Sequence, residues 1–405
     1  MEERNSKIRI ILSILFILVS AGALILIINL GIRFRVNEDI FTIKIYNKED
    51  WENLVASKSW CKGSGTVNDP YIIENLNINA RQEWVDCVFI QNSEAYFIIR
   101  NCSFFDSSCC YPHWCLCGIR HGMRLINVTN GIIMSNQIYL NDYGIRLDSC
   151  SNISIVDNYI YNNLVNLMIQ NSNNNTISDN IFSNYYYGRY GGSGLLLDNS
   201  YYNKITNNHF NASGIHFGDS LLISSNSIGC TNLINGKPIY VYLNEQNLES
   251  ENFTDPGQII LYNCSKILIK AFNFTEIVYP VYLTHCSNFE ISNNSFCRYD
   301  KRIYLNECNN GSIINNSATD NPNFLTIINS TQIEISNNTL INNCEPITIQ
   351  NSENITISFN TITISCYCSA YDYYYYPVPN TAIYLKDTNS SFIIFISIVL
   401  LRQRK

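Results

Sequence analysis

Apolar and polar residues alternate along most of the chain in short runs, and these runs recur with a fixed period. Alternation with a period of two residues is typical of β-strands that bury one face. Asn, Ser, Asp and Gly interrupt the runs, and these residues bend a chain at low cost. The pattern therefore predicts short strands joined by bends, with no helix-period segment between them.

The octets FEISNNSF (289–296) and IEISNNTL (333–340) show the repeat most clearly. Aligning the chain on the second asparagine of each octet gives a unit of about 22 residues. The aligned asparagines are Asn136, Asn158, Asn180, Asn208, Asn226, Asn294, Asn316, Asn338 and Asn360. A second aligned column holds the small residues Cys264, Cys286, Cys308, Ser330 and Ser352.

This repeat predicts an all-β fold, a parallel β-solenoid whose coils pair with one another at about 4.8 Å. Like residues then stack from coil to coil. We expect the asparagines to form an interior ladder of amides and the small residues to fill a tight corner. The length of the repeat predicts about fourteen coils, and a lone coil is not expected to fold.

A short capping helix is predicted at the start of the solenoid. Residues 40–46 resemble a strand, Asn47 is a suitable N-cap, and Trp51, Leu54 and Val55 share one face of a helix over 48–56. This helix is expected to cover the first coil, whose edge would otherwise be exposed. A surface helix that precedes the domain is the alternative.

The N-terminal segment is apolar enough to cross a bilayer, since Ile10–Ile28 contains no charged residue. The sequence predicts a cytoplasmic N-terminus (1–9), a transmembrane helix (10–32), a linker and cap (33–60), the solenoid (61–390) and an apolar, basic tail (391–405). Basic residues before the apolar segment favour a cytoplasmic N-terminus. A cleaved signal peptide is the alternative.

The tail contains an apolar run, residues 392–401, that is too short to span a membrane by itself. Its alignment with the repeat places Ile396 in the asparagine position. The register therefore predicts a last, apolar coil. A short second anchor is the alternative, because basic residues follow the run.

The composition argues against nucleic acid as a partner, because the net charge is −7 and the basic residues are few and scattered. Sixteen cysteines suit disulfides in an extracytoplasmic compartment. Glycosylation sequons fit the same compartment, although a chain rich in Asn, Ser and Thr forms sequons by chance. The candidate acceptors are Asn101, Asn127, Asn152, Asn252, Asn263, Asn273 and Asn354.

Three insertions, 105–117, 185–193 and 366–379, interrupt the repeat at the same point of the coil and should leave one edge of the solenoid. Two of them are rich in tyrosine, whose ring offers an apolar face for stacking on sugars. The candidate ligand-binding residues are Tyr185, Tyr186, Tyr187, Tyr190, Tyr373, Tyr374, Tyr375 and Tyr376. Mutual packing of the loops is the alternative.

The first insertion is rich in cysteine, and its spacing permits a Cu(I) or Zn site. The candidate metal ligands are Cys109, Cys110, His113, Cys115 and Cys117. The segment lacks the paired CxxC units of a zinc site, so disulfides or idle thiols are the alternative.

Acidic residues offer few candidates for catalysis. Asp157 and Asp179 lie one coil apart, and Asp148 and Asp198 lie two coils apart, with no His or Lys beside them. Solvated aspartates in bends are the alternative, and enzyme activity is not predicted. The segment YGIRLDS (143–149) is similar to the active-site motif of alginate epimerases, but it also recurs as an ordinary repeat strand.

Over residues 60–390 the repeat resembles the right-handed parallel β-helices of carbohydrate-binding proteins and sugar hydrolases, and above all the NosD-type periplasmic copper-binding proteins. GSGTVNDPYIIENLNI (63–78) resembles the opening segment of archaeal cell-surface members. NGKPIYVYLNEQNL (235–248) with GQIILYNCSKILI (257–269) resembles a central coil pair of NosD-type domains. The resemblance implies a right-handed solenoid outside the cytoplasm. It also implies copper binding, but only through the description of the family.

Together these observations predict a membrane-anchored, extracytoplasmic β-helix that binds carbohydrate or other surface proteins, with no cofactor expected. The alternatives are a copper-handling protein, a polysaccharide lyase, hydrolase or epimerase, and a purely structural surface protein.

Overall fold

The computed structural model describes residues 42–81, 85–107, 119–184, 193–218, 222–275, 277, 279–297, 303–319, 323–343, 346–364, 382–388 and 392–400. They form a parallel β-solenoid of about 12 turns with about 22 residues per coil. The predicted all-β parallel solenoid is confirmed, and the prediction of about fourteen coils was too high. In this part of the chain no helix is long and apolar enough to span a bilayer. The predicted membrane segment, 10–32, lies outside it.

The N-terminal coils place one strand in each of three sheets, and the strands are numbered in chain order. Sheet 1 contains β1 (Ile43–Ile45), β5 (Val88–Ser93), β8 (His121–Val128), β11 (Tyr143–Asp148), β14 (Val165–Gln170), β17 (Ser193–Asp198) and β20 (Ile215–Phe217). Sheet 2 contains β2 (Cys61–Lys62), β3 (Tyr71–Glu74), β6 (Phe97–Arg100), β9 (Gly131–Met134), β12 (Ser154–Val156), β15 (Thr176–Ser178), β18 (Lys204–Thr206) and β21 (Ser227–Ile228).

Sheet 3 runs through the whole solenoid. Its N-terminal strands are β4 (Asn77–Asn79), β7 (Ser103–Phe105), β10 (Gln137–Tyr139), β13 (Tyr159–Tyr161), β16 (Ile181–Ser183), β19 (His209–Asn211) and β22 (Leu233–Ile234). Its C-terminal strands are β23 (Lys237–Leu243), β25 (Gln258–Tyr262), β28 (Val281–Thr284), β31 (Ile303–Asn306), β34 (Leu325–Ile328), β37 (Ile347–Gln350) and β39 (Ile383–Lys386).

Sheet 4 belongs to the C-terminal coils and joins the second and third strands of each coil. Its strands are β24 (Gln246–Leu248), β26 (Ser265–Lys270), β27 (Asn273–Thr275), β29 (Ser287–Ser292), β30 (Ser295–Cys297), β32 (Asn309–Ile314), β33 (Ser317–Thr319), β35 (Thr331–Ser336), β36 (Thr339–Asn343), β38 (Glu353–Ile364) and β40 (Phe392–Leu400). Strand β40 pairs with β38 and places Ile396 opposite Asn360, in the register that the sequence predicts.

A tight hairpin divides the solenoid into two stacks of coils. Strands β22 and β23 pair antiparallel, and Asn235 and Gly236, both with positive φ, form the turn between them. An Asn-Gly pair favours this two-residue turn because both positions require φ > 0. Strand β23 then pairs in parallel with β25 and begins the C-terminal stack.

Interior ladders of asparagine hold the coils together, as predicted. The Asn316 side-chain oxygen accepts bonds from the backbone N–H and the Nδ2 of Asn294, at 3.0 and 3.1 Å. Its own Nδ2 donates to the Ile291 carbonyl at 2.8 Å. Buried backbone groups at the bend are thus paired by side chains that repeat from coil to coil.

Asn226 does not belong to the main asparagine column. Asn208 donates to Asn232, whereas Asn226 accepts from Asn203 in a separate ladder that begins at Asn175. The alignment on Asn226 was wrong, because this chain builds more than one column of asparagines and an insertion precedes the junction.

The predicted column of small residues lies in a buried corner. The Ser330 hydroxyl accepts from the Cys308 backbone N–H at 3.0 Å, and Ser352 repeats this contact with Ser330. Cys264 and Cys286 occupy the same corner in earlier coils and are buried. Thiols and hydroxyls fit here because larger side chains would separate the coils.

The predicted cap is present as α1 (Lys48–Ser57), which begins at Asn47. The Asn47 side chain accepts from the Asp50 N–H at 3.1 Å. Trp51 is 1% exposed, stacks on Tyr71 at 4.7 Å and donates through Nε1 to the Ser93 hydroxyl. The helix therefore covers the first coils. A single-turn helix, α2 (Leu222–Ser225), and a 3₁₀ turn (Ser250–Asn252) lie near the junction.

Candidate functional site

A long groove lies over sheet 4 of the C-terminal stack and has a volume of about 730 Å³. We call it the polar groove. It is lined by Glu249, Lys266, Ile267, Leu268, Asn288, Phe289, Glu290, Asn310, Gly311, Ser312, Gln332, Ile333, Glu334, Asn354 and Thr356. Most of these side chains carry hydrogen-bonding groups, so the surface suits a polar ligand.

One wall of the polar groove is a column of outward-facing residues on successive strands. The pairing of strands β26, β29, β32, β35 and β38 aligns Leu268, Glu290, Ser312, Glu334 and Thr356. Glu249 follows Leu248, which pairs with Ile267, and so precedes Leu268 in this column. A carboxylate therefore recurs on every second coil, at a spacing of about 10 Å.

Neighbouring hydroxyls hold two of these carboxylates in place. Ser292 donates to Glu290 Oε1 at 2.6 Å, and Ser336 donates to Glu334 Oε1 at 2.7 Å. Each serine is buried and lies two residues after its glutamate on the same strand. The second carboxylate oxygen of each glutamate has no hydrogen-bond partner among the described residues, and both side chains are partly or fully exposed.

The other wall is a column of bends. Residues Lys266, Asn288, Asn310, Gln332 and Asn354 all adopt positive φ, between 50° and 57°. This backbone conformation turns the chain sharply and favours asparagine among residues other than glycine. Asn310 donates to Asn288 at 2.6 Å, so the amides of adjacent coils are linked along the wall.

The floor of the polar groove depends on one glycine. Gly311 pairs with Phe289, and a Cβ at Gly311 would lie 2.0 Å from the Phe289 ring. The ring therefore occupies the space that a side chain at 311 would need. Gly131 and Phe97 repeat the arrangement in the N-terminal stack, where a Cβ would lie 2.2 Å from the ring.

Comparison with known proteins gives the family of this chain. The family model for the periplasmic copper-binding protein (NosD) matches residues 116–247 and 218–375, which together exceed half of the chain. The chain belongs to the NosD family. No curated protein sequence matches this NosD-family chain.

Solved β-helix structures are also similar to this NosD-family chain. A mannuronan C-5 epimerase A-module from Azotobacter vinelandii has 11% identity and a TM-score of 0.30, covering 82% of this chain and 81% of its own. An alginate lyase from Paenibacillus sp. is 12% identical, with a TM-score of 0.28. The match covers 86% of this chain and 99% of the lyase chain. An endo-xylogalacturonan hydrolase from Aspergillus tubingensis is 11% identical, with a TM-score of 0.29. The match covers 89% of this chain and 93% of the hydrolase chain. These values carry no argument about function.

The described residues of this NosD-family chain do not fit copper. They contain no group of three His, Cys, Asp or Glu side chains placed to hold a metal ion. Burial raises the pKa of Cys61 and of Cys150 to about 11, and it raises that of Cys87 as well. Burial in the core therefore favours the neutral thiol at each of these positions. The predicted ligands Cys109, Cys110, His113, Cys115 and Cys117 lie outside the described residues.

The described cysteines are all free thiols: Cys61, Cys87, Cys102, Cys150, Cys230, Cys264, Cys286, Cys297 and Cys308. Within this part of the chain the expected disulfides are therefore not found. Buried thiols in interior columns instead donate to carbonyls, as Cys308 does to Leu283 at 3.5 Å. Their role here is packing.

The predicted tyrosine loops are also outside the described residues, including Tyr185, Tyr186, Tyr187, Tyr190 and Tyr373–Tyr376. Among the described residues, strands β7, β10 and β13 of sheet 3 carry an aromatic ladder. Phe105, Tyr139 and Tyr161 stack on successive coils with centroids 4.8 Å apart. Their faces cover one another, so the stack stabilises the sheet.

The four predicted aspartates do not form one site. Asp157 and Asp179 lie in exposed bends with φ of 55° and 59°, and Asp157 accepts from the Ser135 hydroxyl. Asp148 and Asp198 lie two coils apart in sheet 1, with Gln170 between them in the register. The Gln170 amide donates to Asp198 at 2.8 Å.

The predicted glycosylation sites all have exposed side chains in the structure, which is the position that a glycan requires. They are Asn101, Asn127, Asn152, Asn252, Asn263, Asn273 and Asn354.

The sequence interpretation missed the glutamates of the polar groove. Its acidic candidates were four aspartates, whereas Glu290 and Glu334 lie on the second strand of their coils. The signal was present, because both stand at the second position of the two octets that reveal the repeat.

Proposed function

We propose that this NosD-family protein binds an extended carbohydrate outside the cytoplasm, along the polar groove. The observation that carries the proposal is the column of Glu249, Glu290 and Glu334, which places a carboxylate on every second coil. A periodic row of acceptors suits a ligand that is itself periodic and linear.

The chemistry of the polar groove supports a sugar chain over an apolar ligand. Carboxylates accept hydrogen bonds from sugar hydroxyls, while amides and hydroxyls both donate and accept them. The wall amides Asn288, Asn310 and Gln332 therefore complement the glutamates across the groove. The strands from β26 to β38 extend the site over about 19 Å, which accommodates several sugar units.

The extracytoplasmic location is supported by the family, whose description names a periplasmic protein. Exposed sequons and the apolar segment at 10–32 agree with it. We also propose that the protein is anchored in a membrane, and the apolar segment 10–32 is the only support for this anchor.

Replacing both Glu290 and Glu334 with glutamine is expected to weaken glycan binding at least tenfold. Each charge-assisted hydrogen bond contributes about 1.5–3 kcal/mol, and glutamine keeps the shape of the side chain. The measurement is a glycan array to identify a bound polysaccharide, followed by calorimetric titration of wild type and variant with that ligand.

Glu353→Gln is the matched control, because Glu353 is exposed on strand β38 and does not line the groove. Its affinity should equal that of wild type. An array that shows no bound glycan, or a double variant with unchanged affinity, would refute the assignment of this groove. Alanine at Tyr185–Tyr187 tests the loops separately, and a loss confined to that variant would move the site there.

A further inference from the structure

Two arginines stand side by side on sheet 1, far along the sequence from the polar groove. Arg124 on β8 pairs directly with Arg146 on β11, so their backbones are separated by one coil, about 4.8 Å. Like charges at paired positions of a sheet repel each other. A stable arrangement therefore requires negative charge close to both.

Asp148 supplies part of that negative charge to Arg146, and the neutral Gln170 amide adds a hydrogen bond. Arg146 Nη2 donates to the Gln170 side-chain oxygen at 2.7 Å, and Asp148 Oδ2 lies 3.7 Å away. The register places Ile126 at the position equivalent to Asp148 on the coil of Arg124. The described residues thus give Arg124 no carboxylate.

The two guanidinium groups are held in place by aromatic rings. Arg124 Cζ lies 5.9 Å from the centre of the Phe89 ring, and Arg146 Cζ lies 5.8 Å from that of Tyr143. The Nε atoms of both arginines are buried and have no hydrogen-bond partner among the described residues. Buried donors without acceptors are costly, and an ordered water or ion is one way in which such a group is paired.

We propose that Arg124 and Arg146 bind an oxyanion, the carboxylate or sulfate group of an acidic ligand. An oxyanion has several acceptor oxygens, so it accepts from the planar forks of both guanidinium groups and neutralises their repulsion. This site is independent of the polar groove.

The test is calorimetric titration of the full chain at low ionic strength with three probes: inorganic sulfate, a galacturonate oligomer and a neutral galactose oligomer. We expect binding of sulfate, of the uronate, or of both. Any binding of the neutral oligomer would belong to the polar groove and should not change when the arginines are replaced. Sulfate alone identifies a free anion as the ligand class, and preference for the uronate identifies an acidic saccharide. Absence of binding by both anions overturns the proposal.

Variants assign the binding to this pair. Arg124→Gln and Arg146→Gln should each weaken anion binding at least tenfold, and Arg124→Lys should do so too because it lacks the fork. Arg81→Gln is the control, since it removes one positive charge from a side chain that is 69% exposed. An equal loss in Arg81→Gln would show that binding follows net charge, and would contradict the site.

Stability without anion separates a binding role from a structural one. Arg124→Gln removes the repulsion, so its melting temperature in anion-free buffer should equal or exceed that of wild type. Added sulfate should raise the melting temperature of wild type and leave that of the variant unchanged. A lower melting temperature in the variant, with the sulfate response retained, would assign Arg124 to packing alone.

Discussion

Replacement of Asn316 with alanine is expected to lower the free energy of unfolding by about 3–5 kcal/mol. The Asn316 side chain is 1% exposed and pairs the backbone N–H of Asn294 and the Ile291 carbonyl. Alanine leaves both groups buried without a partner. Urea denaturation monitored by circular dichroism measures the change.

Asn309→Ala is the matched control, because Asn309 lies on the same coil, is exposed and has no side-chain hydrogen bond among the described residues. A surface substitution of this kind changes stability by roughly 0.5 kcal/mol or less. Equal effects of the two substitutions would mean that the asparagine column does not hold the coils together.

Replacement of Gly311 with isoleucine is expected to destabilise the protein by roughly 1–3 kcal/mol or more, because the new side chain overlaps the Phe289 ring. Phe289→Ile should restore most of this loss in the double variant. Isoleucine already occupies the same column at Ile267, Ile333 and Ile355. A double-mutant cycle of unfolding free energies measures the coupling.

The same cycle tests the register directly, since Phe289 and Gly311 are 22 residues apart in sequence and adjacent only if the coils stack. Additive effects of the two substitutions, with no coupling, would show that the ring does not lie over Gly311. The floor of the polar groove would then need another explanation.

Much of the fold follows from residue pattern alone, because a solenoid repeats one local solution. The main asparagine ladder, the corner of Cys308 and Ser330, and the position of Ile396 opposite Asn360 all agree with the alignment. The Asn47 cap and buried Trp51 also follow from local signals. Each of these depends on spacing within the chain, which sequence shows directly.

The junction between the two stacks could not be predicted from the repeat pattern. The repeat unit assumes that each column continues, yet sheet 3 changes from third strands to first strands across β22 and β23. The Asn235–Gly236 pair is a local hairpin signal, and the period of the repeat does not reveal it. Asn226 was misplaced for a related reason, since several asparagine columns compete for one alignment.

The candidate sites depend on which residues face outward together, and that requires the register of strands. The octets contain Glu290 and Glu334, but the distance between them along the groove depends on the strand pairing that places Ser312 between them. The pairing of Arg124 with Arg146 has the same origin. Sequence reasoning favoured the tyrosine and cysteine insertions, which remain predictions.

Spin labels at residues 273 and 361 test the stacked register most directly. The pairings 273–295, 295–317, 317–339 and 339–361 separate these exposed positions by four coils. Pulsed electron double resonance, with labels on introduced non-natural residues to avoid the native cysteines, should give a narrow distribution near 19 Å. A broad distribution, or one centred beyond about twice that distance, would contradict coils that lie directly on one another.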